Sequence, residues 1–417
     1  MRHMKLAPQR AHASGSAGYA ELLRQRDFAL LLGGQTVSRL GDGLQIAALA
    51  WLTLQLGGAG AVTLTAFAAS VPSLAFGLFG GVYADRWDRR RVMLFSDTAR
   101  GLAVLIVPLA AAAGVLSVWQ LALVAALLAS FGTLGDPART ALLPALVRRD
   151  QLTAANALTG ATLQASLWLG PAFLGLLLRF VAMKDVFTID AGSFAVALFT
   201  TLLIYYRRPQ AAAPRRRSVL AEAAEGLGAV RGDLLLWLPT VVFALGIVFA
   251  AGVRQVALPV LVRDRLHQNA QAFGLMLGAA GVGEVLGNVL IGRVAIHAQG
   301  TATTLGWLLL GLLRAPLGLV PAWQPGAALL FATGGVSALT DVPMISLMQQ
   351  RSPEAQLGRV LALWRTLIYG SGAIAAPFVG ALLSVLPVEA VFAVCGLLTA
   401  AIGGGGALVC WKKERGA

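Results

Sequence analysis

Twelve apolar stretches, each close to the roughly 20 residues a helix needs to cross a bilayer, leave this chain few ways to fold. They cover residues 28–56, 60–84, 92–112, 117–139, 153–178 and 185–206, then 234–261, 271–292, 302–321, 326–349, 358–383 and 387–411. None alternates apolar and polar residues as barrel strands do, so helices that close their own backbone hydrogen bonds are what lipid permits. Only 12% of the 417 residues are charged and 57% are hydrophobic, more apolar surface than a water-soluble core would bury. The expected fold is an all-α polytopic membrane protein with twelve transmembrane helices.

The net charge of +14 would suit a nucleic-acid binder, but the placement of the cations argues otherwise. With the amino terminus in the cytoplasm, 24 of the 33 Lys and Arg residues fall inside, four fall outside (Arg179, Lys184, Arg263, Arg265) and five lie within helices. This is the positive-inside pattern, with both termini cytoplasmic and no nucleic acid needed. The first 26 residues hold no apolar core with a cleavage site, so no signal peptide is expected. Cys395 and Cys410, with four scattered histidines, offer no disulfide or metal framework, and no cofactor is expected. The four lysines lie in no phosphate-binding loop, which argues against ATP as the energy source.

The longest polar break, 207–233, separates six apolar segments from six. The expected organisation is a cytoplasmic segment 1–26, a six-helix bundle 27–206, a linker 207–233, a second bundle 234–411 and a tail 412–417. Features recur between the halves. Asp136 with Pro137 answers Asp341 with Pro343, "GPAFLG" from Gly170 answers "APFVG" from Ala376, and "LQIA" from Leu44 answers "RQVA" from Arg254, at offsets of 205 to 210. Parallel six-helix repeats about an axis along the membrane normal are an architecture of secondary transporters.

One short loop concentrates the charge: Asp85 to Arg91 carries six charges in seven residues. Gly81, Asp85, Arg86, Arg89 and Arg90 match the pattern G-x-x-x-D-R-x-G-R-R/K found between helices 2 and 3 of the major facilitator superfamily, which the chain resembles from the first segment to the twelfth. Asp88 departs from the usual glycine. With "VSRLGDGL", "DPARTALLPALV" and "LTAANAL", the loop is similar to a branch of bacterial macrolide, multidrug and siderophore exporters of the drug:proton antiporter type. The resemblance implies that Asp85, Arg89 and Asp136 form a charge relay, with Asp85 facing the amino end of segment 11 and stabilising an outward-facing state. Arg86, Arg90 and Arg91 also read simply as charges that set topology. "LGPAFLG" is similar to an antiporter signature, in which Gly170, Pro171 and Gly175 allow a bend and a close contact, expected against Gly283 and Gly287 of segment 8. The arginine that many proton-coupled drug antiporters carry midway along helix 4 is absent, since no charge lies between Val118 and Gly135.

Ionisable side chains at bilayer depth are costly and point to function or to structural pairs. Asp42, with Arg39 one turn away, is the leading proton or substrate-charge site, against a permanent structural pair. Glu284 has no cation nearby in sequence, and Arg254 is its expected partner, as a proton carrier or a ligand for a cationic drug. Asp97 with Arg100, Asp136 with Arg139, and Asp341 with Arg365 lie toward the cytoplasmic side and are assigned to gating. Gln45, Trp168 and Tyr369 are expected to line the cavity. The function so indicated is secondary active efflux of an amphipathic drug-like or siderophore-like small molecule, by proton antiport with alternating access. The transporter is expected to work as a monomer among the lipids of a bacterial inner membrane. A lysophospholipid flippase on the same scaffold is the alternative. An embedded enzyme is remote, because no nucleophile or histidine constellation supports one.

Overall fold

A computed structural model describes residues 15–84, 88–206, 227–228 and 230–415. A short helix α1 (Gly15–Arg24) precedes α2 (Arg26–Ala84), whose 59 residues are far too long, at about 1.5 Å of rise each, for one crossing of a roughly 30 Å apolar layer. Gly58 divides α2. Its φ of 67° and ψ of −162° lie in a region essentially restricted to glycine, and there the chain turns back between the first two expected segments. Then follow α3 (Arg89–Ala112), α4 (Val118–Leu142), α5 (Leu152–Leu177) and α6 (Met183–Leu203). The second half holds α7 (Leu234–Gly252, continued by turns to Arg265), α8 (Ala270–Ile291), α9 (Gln299–Arg314), α10 (Trp323–Arg351), α11 (Glu354–Val385) and α12 (Val388–Arg415). Eleven of these helices are long and apolar enough to span, and with α2 crossing twice they make the twelve crossings expected.

The packing repeats. In the first half α3 packs on α4 and α6, and α2 on α4, α5 and α6; in the second, α9 packs on α10 and α12, α8 on α10, and α7 on α11 and α12. Each partnership recurs six crossings later, as two pseudo-symmetric bundles require. Between the halves α5 lies on α8 and α2 on α11, again a symmetric pair.

Small residues set those seams. A Cβ on Gly175 would fall 2.8 Å from the Gln271 carbonyl, one on Gly274 would fall 2.6 Å from the Pro171 carbonyl, and Gly278 meets Ala172. On the other seam Gly372 faces Ser70 and Gly380 faces Thr63. The expected contact of the α5 motif with Gly283 and Gly287 is therefore corrected. Those two glycines pack on Phe331 and Gly335 of α10, while Gly170 sits against Gly43 of α2, with the virtual Cβ 2.5 Å from the Gly43 Cα. Gly43 and Gly170 let α2 and α5 touch backbone to backbone.

By alternation of the crossings, both described chain ends share one face with the breaks after Ala84, Leu142, Leu203, Ile291 and Arg351. The contacts described between the halves run from mid-bundle toward the opposite face. Trp51 meets Phe273 at 5.6 Å, Arg263 donates to the Leu54 carbonyl, and Gly175 meets Gly274.

Gly58→Ala is expected to lower the detergent melting temperature by an amount equivalent to about 1–3 kcal/mol of backbone strain, although nothing lies within 4 Å of the added Cβ. Gly60→Ala, equally open but with no positive φ, is expected to shift stability by no more than about 0.5 kcal/mol. Thermal unfolding of the two variants side by side checks this.

Candidate functional site

Four helices of the first half carry the same short spacing. Arg39 and Asp42 on α2, Asp97 and Arg100 on α3, and Asp136 and Arg139 on α4 are each three residues apart, which stacks both groups on one helix face. On α6 the spacing is Asp190 and Ser193. Packing of α2, α3, α4 and α6 turns these faces together into one polar core.

The charges form an alternating chain. Arg100 Nη2 donates to Asp42 Oδ1 at 2.5 Å, and Arg39 approaches Asp42 Oδ2 at 3.7 Å and pairs with Asp136. Asp136 also accepts from Arg139 Nη1 at 2.8 Å, and Arg139 reaches back to Asp97 at 3.9 Å. The Arg100 guanidinium lies 4.5 Å over the Phe194 ring of α6. Asp42, Asp97, Arg100, Arg139 and Asp190 are buried, whereas the Asp136 side chain is 45% exposed and is the network's outlet to solvent. Ion pairs at this depth survive because each charge removed from water gains a partner of opposite sign.

The assignments from sequence are thus regrouped. Asp42, expected to pair chiefly with Arg39, has Arg100 as its closer partner, and the residues assigned to gating share one network with it. Arg89 does not join Asp136; its Nη1 donates to the Ala141 carbonyl at 2.6 Å, and the arginines on Asp136 are Arg39 and Arg139. Arg90 donates to the Thr201 carbonyl at 3.0 Å and to that of Leu202, tying the start of α3 to the end of α6. Asp88, the departure from the loop pattern, caps α3 by accepting the Arg91 N–H at 2.9 Å. Asp85 and Arg86 lie outside the described residues, and Gly81 lies in the last turns of α2.

A second cluster lies in the other half. Glu284 on α8 lies within electrostatic reach of Asp341, Arg254 and Arg314. Arg254 sits on a π-helical turn, Val253–Ala257, where one extra residue per turn re-aims a side chain. Its guanidinium lies 5.9 Å over the ring of Trp168 from the first half and remains accessible. Trp168 in turn packs on Gly281, so Arg254 and Trp168 face each other across the space between the halves. The expected pairing of Glu284 with Arg254 is electrostatic, without a direct ion pair among the described contacts. Gln45 is buried on α2; Arg365 and Tyr369 lie on α11, with side chains outside the described residues. Asp341 accepts from Thr340 at 3.2 Å. Sequence reasoning missed Asp190, although an acid in the interior of apolar segment 6, five residues beyond Asp185 at its start, was the available signal.

The model of the family described as transmembrane secretion effector matches residues 16–409. The chain belongs to this family of major facilitator transporters. It is 29% identical over 331 residues to the enterobactin exporter EntS of Shigella boydii, covering 73% of this chain and 72% of that one. EntS of Escherichia coli strain E24377A is 28% identical over the same length. Among solved structures, a bacterial homologue of the human lysosomal transporter Spinster, in an inward-facing and unoccupied conformation, superposes with a TM-score of 0.64 at 12% identity over 95% of this chain and 97% of that one. A POT family transporter in complex with a thioalcohol-conjugated peptide gives 0.69 at 13% identity, covering 95% and 99%. The chain is a multi-pass membrane exporter, a transporter and not an enzyme.

Arg100→Met leaves Asp42 without its nearest cation and is expected to cost about 3–5 kcal/mol, read as a lower melting temperature in detergent. Adding Asp42→Leu is expected to recover most of that loss, which a double-mutant cycle measures.

Proposed function

We propose that this chain exports an amphipathic, siderophore-like or drug-like molecule from a bacterial cytoplasm across the inner membrane by proton antiport, with the two halves alternating access to a site between them. The observation that carries this reading is the pair of ionisable clusters at bilayer depth, one inside the first half and one beside the space between the halves. An exporter driven by the proton gradient needs a carboxylate that changes protonation as the protein changes shape, and Asp42 and Glu284 are placed in such clusters. Seams between the halves on the face opposite the chain ends support an inward-open arrangement if the arginine-rich face is cytoplasmic. The similarity to enterobactin exporters supports a siderophore-like substrate. Trp168 and Arg254 offer such a molecule an aromatic face and a cation.

Asp85, Arg86 and Arg89 are retained as a latch that holds the opposite, outward-facing state, with Asp97, Asp341 and Arg365 on the gating surfaces. Gly170, Pro171 and Gly175 serve as a close-packed pivot between α2, α5 and α8. Gln45 and Tyr369 complete the cavity lining.

The test is transport of enterobactin in proteoliposomes under an imposed pH gradient. Wild type is expected to concentrate it, and Asp42→Asn and Glu284→Gln are each expected to lower gradient-driven transport at least tenfold. Unchanged rates in both variants would remove them as coupling sites. Movement of labelled lysophospholipid without any gradient would replace export by a flippase.

A further inference from the structure

Three of the four helices around the first-half core supply an acid and an arginine three residues apart, while α6 supplies Asp190 with Ser193 in the arginine's place. Four carboxylates therefore share three guanidiniums, and with every group ionised the buried core would carry one uncompensated negative charge. A net charge buried at membrane depth is costly, and a proton on one carboxylate removes it.

The contacts single out which one. Asp42 and Asp136 each hold two ion pairs; Asp97, fully buried with neither oxygen hydrogen-bonded, still has the Arg139 guanidinium at 3.9 Å. Asp190 is in no described ion pair. Its side chain is fully buried; Oδ1 accepts the Ser193 hydroxyl at 3.1 Å, and Oδ2 has no hydrogen-bond partner. The helices packed on α6 are α2 and α3, and the groups they turn toward Asp190 are Asp42 and Arg100. Arg100 is already committed to Asp42 at 2.5 Å and stacked on Phe194, so Asp190 faces a second carboxylate across a guanidinium that serves the other. Gly41 of α2 makes the room: a Cβ there would fall onto Asp190 Oδ1 and Ser193 Oγ.

We propose that Asp190 holds the one exchangeable proton of the first-half core, and that Arg100, by turning from Asp42 to Asp190, decides when it leaves. When the guanidinium moves to Asp190, the Asp190 O–H bond breaks and the proton passes to Asp42, which has lost the nearer of its two cations and keeps only Arg39 at 3.7 Å. From there it reaches solvent at the half-exposed Asp136. The inference deepens the antiport reading and rests on it for the purpose of the transfer. The occupancy of Asp190 by a proton stands on the pairing alone.

Infrared difference spectra of the full chain in lipid, taken between neutral and alkaline pH, read the proton directly. Wild type is expected to show a carboxylic-acid C=O stretch that is lost in alkali. Asp190→Asn is expected to lose a component of the band, Asp190→Glu to shift that component, and Asp97→Asn to keep it. In proteoliposomes Asp190→Asn is expected to lose at least tenfold of gradient-driven enterobactin export. A band unchanged in Asp190→Asn, a band lost in Asp97→Asn instead, or wild-type gradient-driven export by Asp190→Asn would overturn the proposal. If Asp190→Asn does not fold, the frequency in Asp190→Glu decides, and an unshifted band counts against it. Wild-type protein that exports without regard to the gradient would defeat antiport, while the spectra would still decide Asp190.

Discussion

The contact on which the first half depends is the buried pairing of Asp42 with Arg100, 2.5 Å apart between α2 and α3. In lipid neither charge has water to return to, so the helices that carry them stay together or leave a bare ion at bilayer depth. From this pair the chain of alternating charges runs through Arg39, Asp136 and Arg139 to Asp97, and so binds α2, α3 and α4 around one core. Apolar contacts between transmembrane helices gain little over contacts with lipid tails. The polar chain therefore supplies a specificity that the leucines and valines cannot.

The two halves share a packing plan but use their charges differently. In the first, three guanidiniums pair with three of the four carboxylates, and every carboxylate but Asp136 is buried. In the second, Arg254, Arg314, Glu284 and Asp341 are neighbours without direct ion pairs, Arg314 Nη1 is buried with no hydrogen-bond partner, and Arg254 is accessible above Trp168. A closely paired cluster leaves a ligand few free charges, whereas a loosely paired one has side chains left to meet it. Glycines bring α5 and α8 within backbone contact and seat α11 on the Ser70 and Thr63 side chains of α2, so both seams between the halves are close-packed.

The architecture was legible in the amino-acid sequence because lipid admits so few alternatives. Segment length, the cation distribution and the recurring Asp-Pro and Gly-Pro features indicated twelve crossings in two repeats, and Gly58 falls where the first two segments divide. Arg39 with Asp42, Asp97 with Arg100 and Asp136 with Arg139 were visible as local pairs because three residues bring two side chains onto one helical face. Periodicity along a helix says which face is polar, but not which other helix that face meets.

Those partners were decided by tertiary packing. It gave Arg100 rather than Arg39 as the nearest cation to Asp42, set Arg89 on a backbone carbonyl of α4, placed Gly283 and Gly287 against α10, and drew Asp190 into the core. The physical reason is range. The requirements of the bilayer act on every residue by itself and so can be read along the chain, whereas a buried charge is satisfied by whichever opposite charge the packed helices bring within reach, here 58 residues away in the case of Asp42 and Arg100.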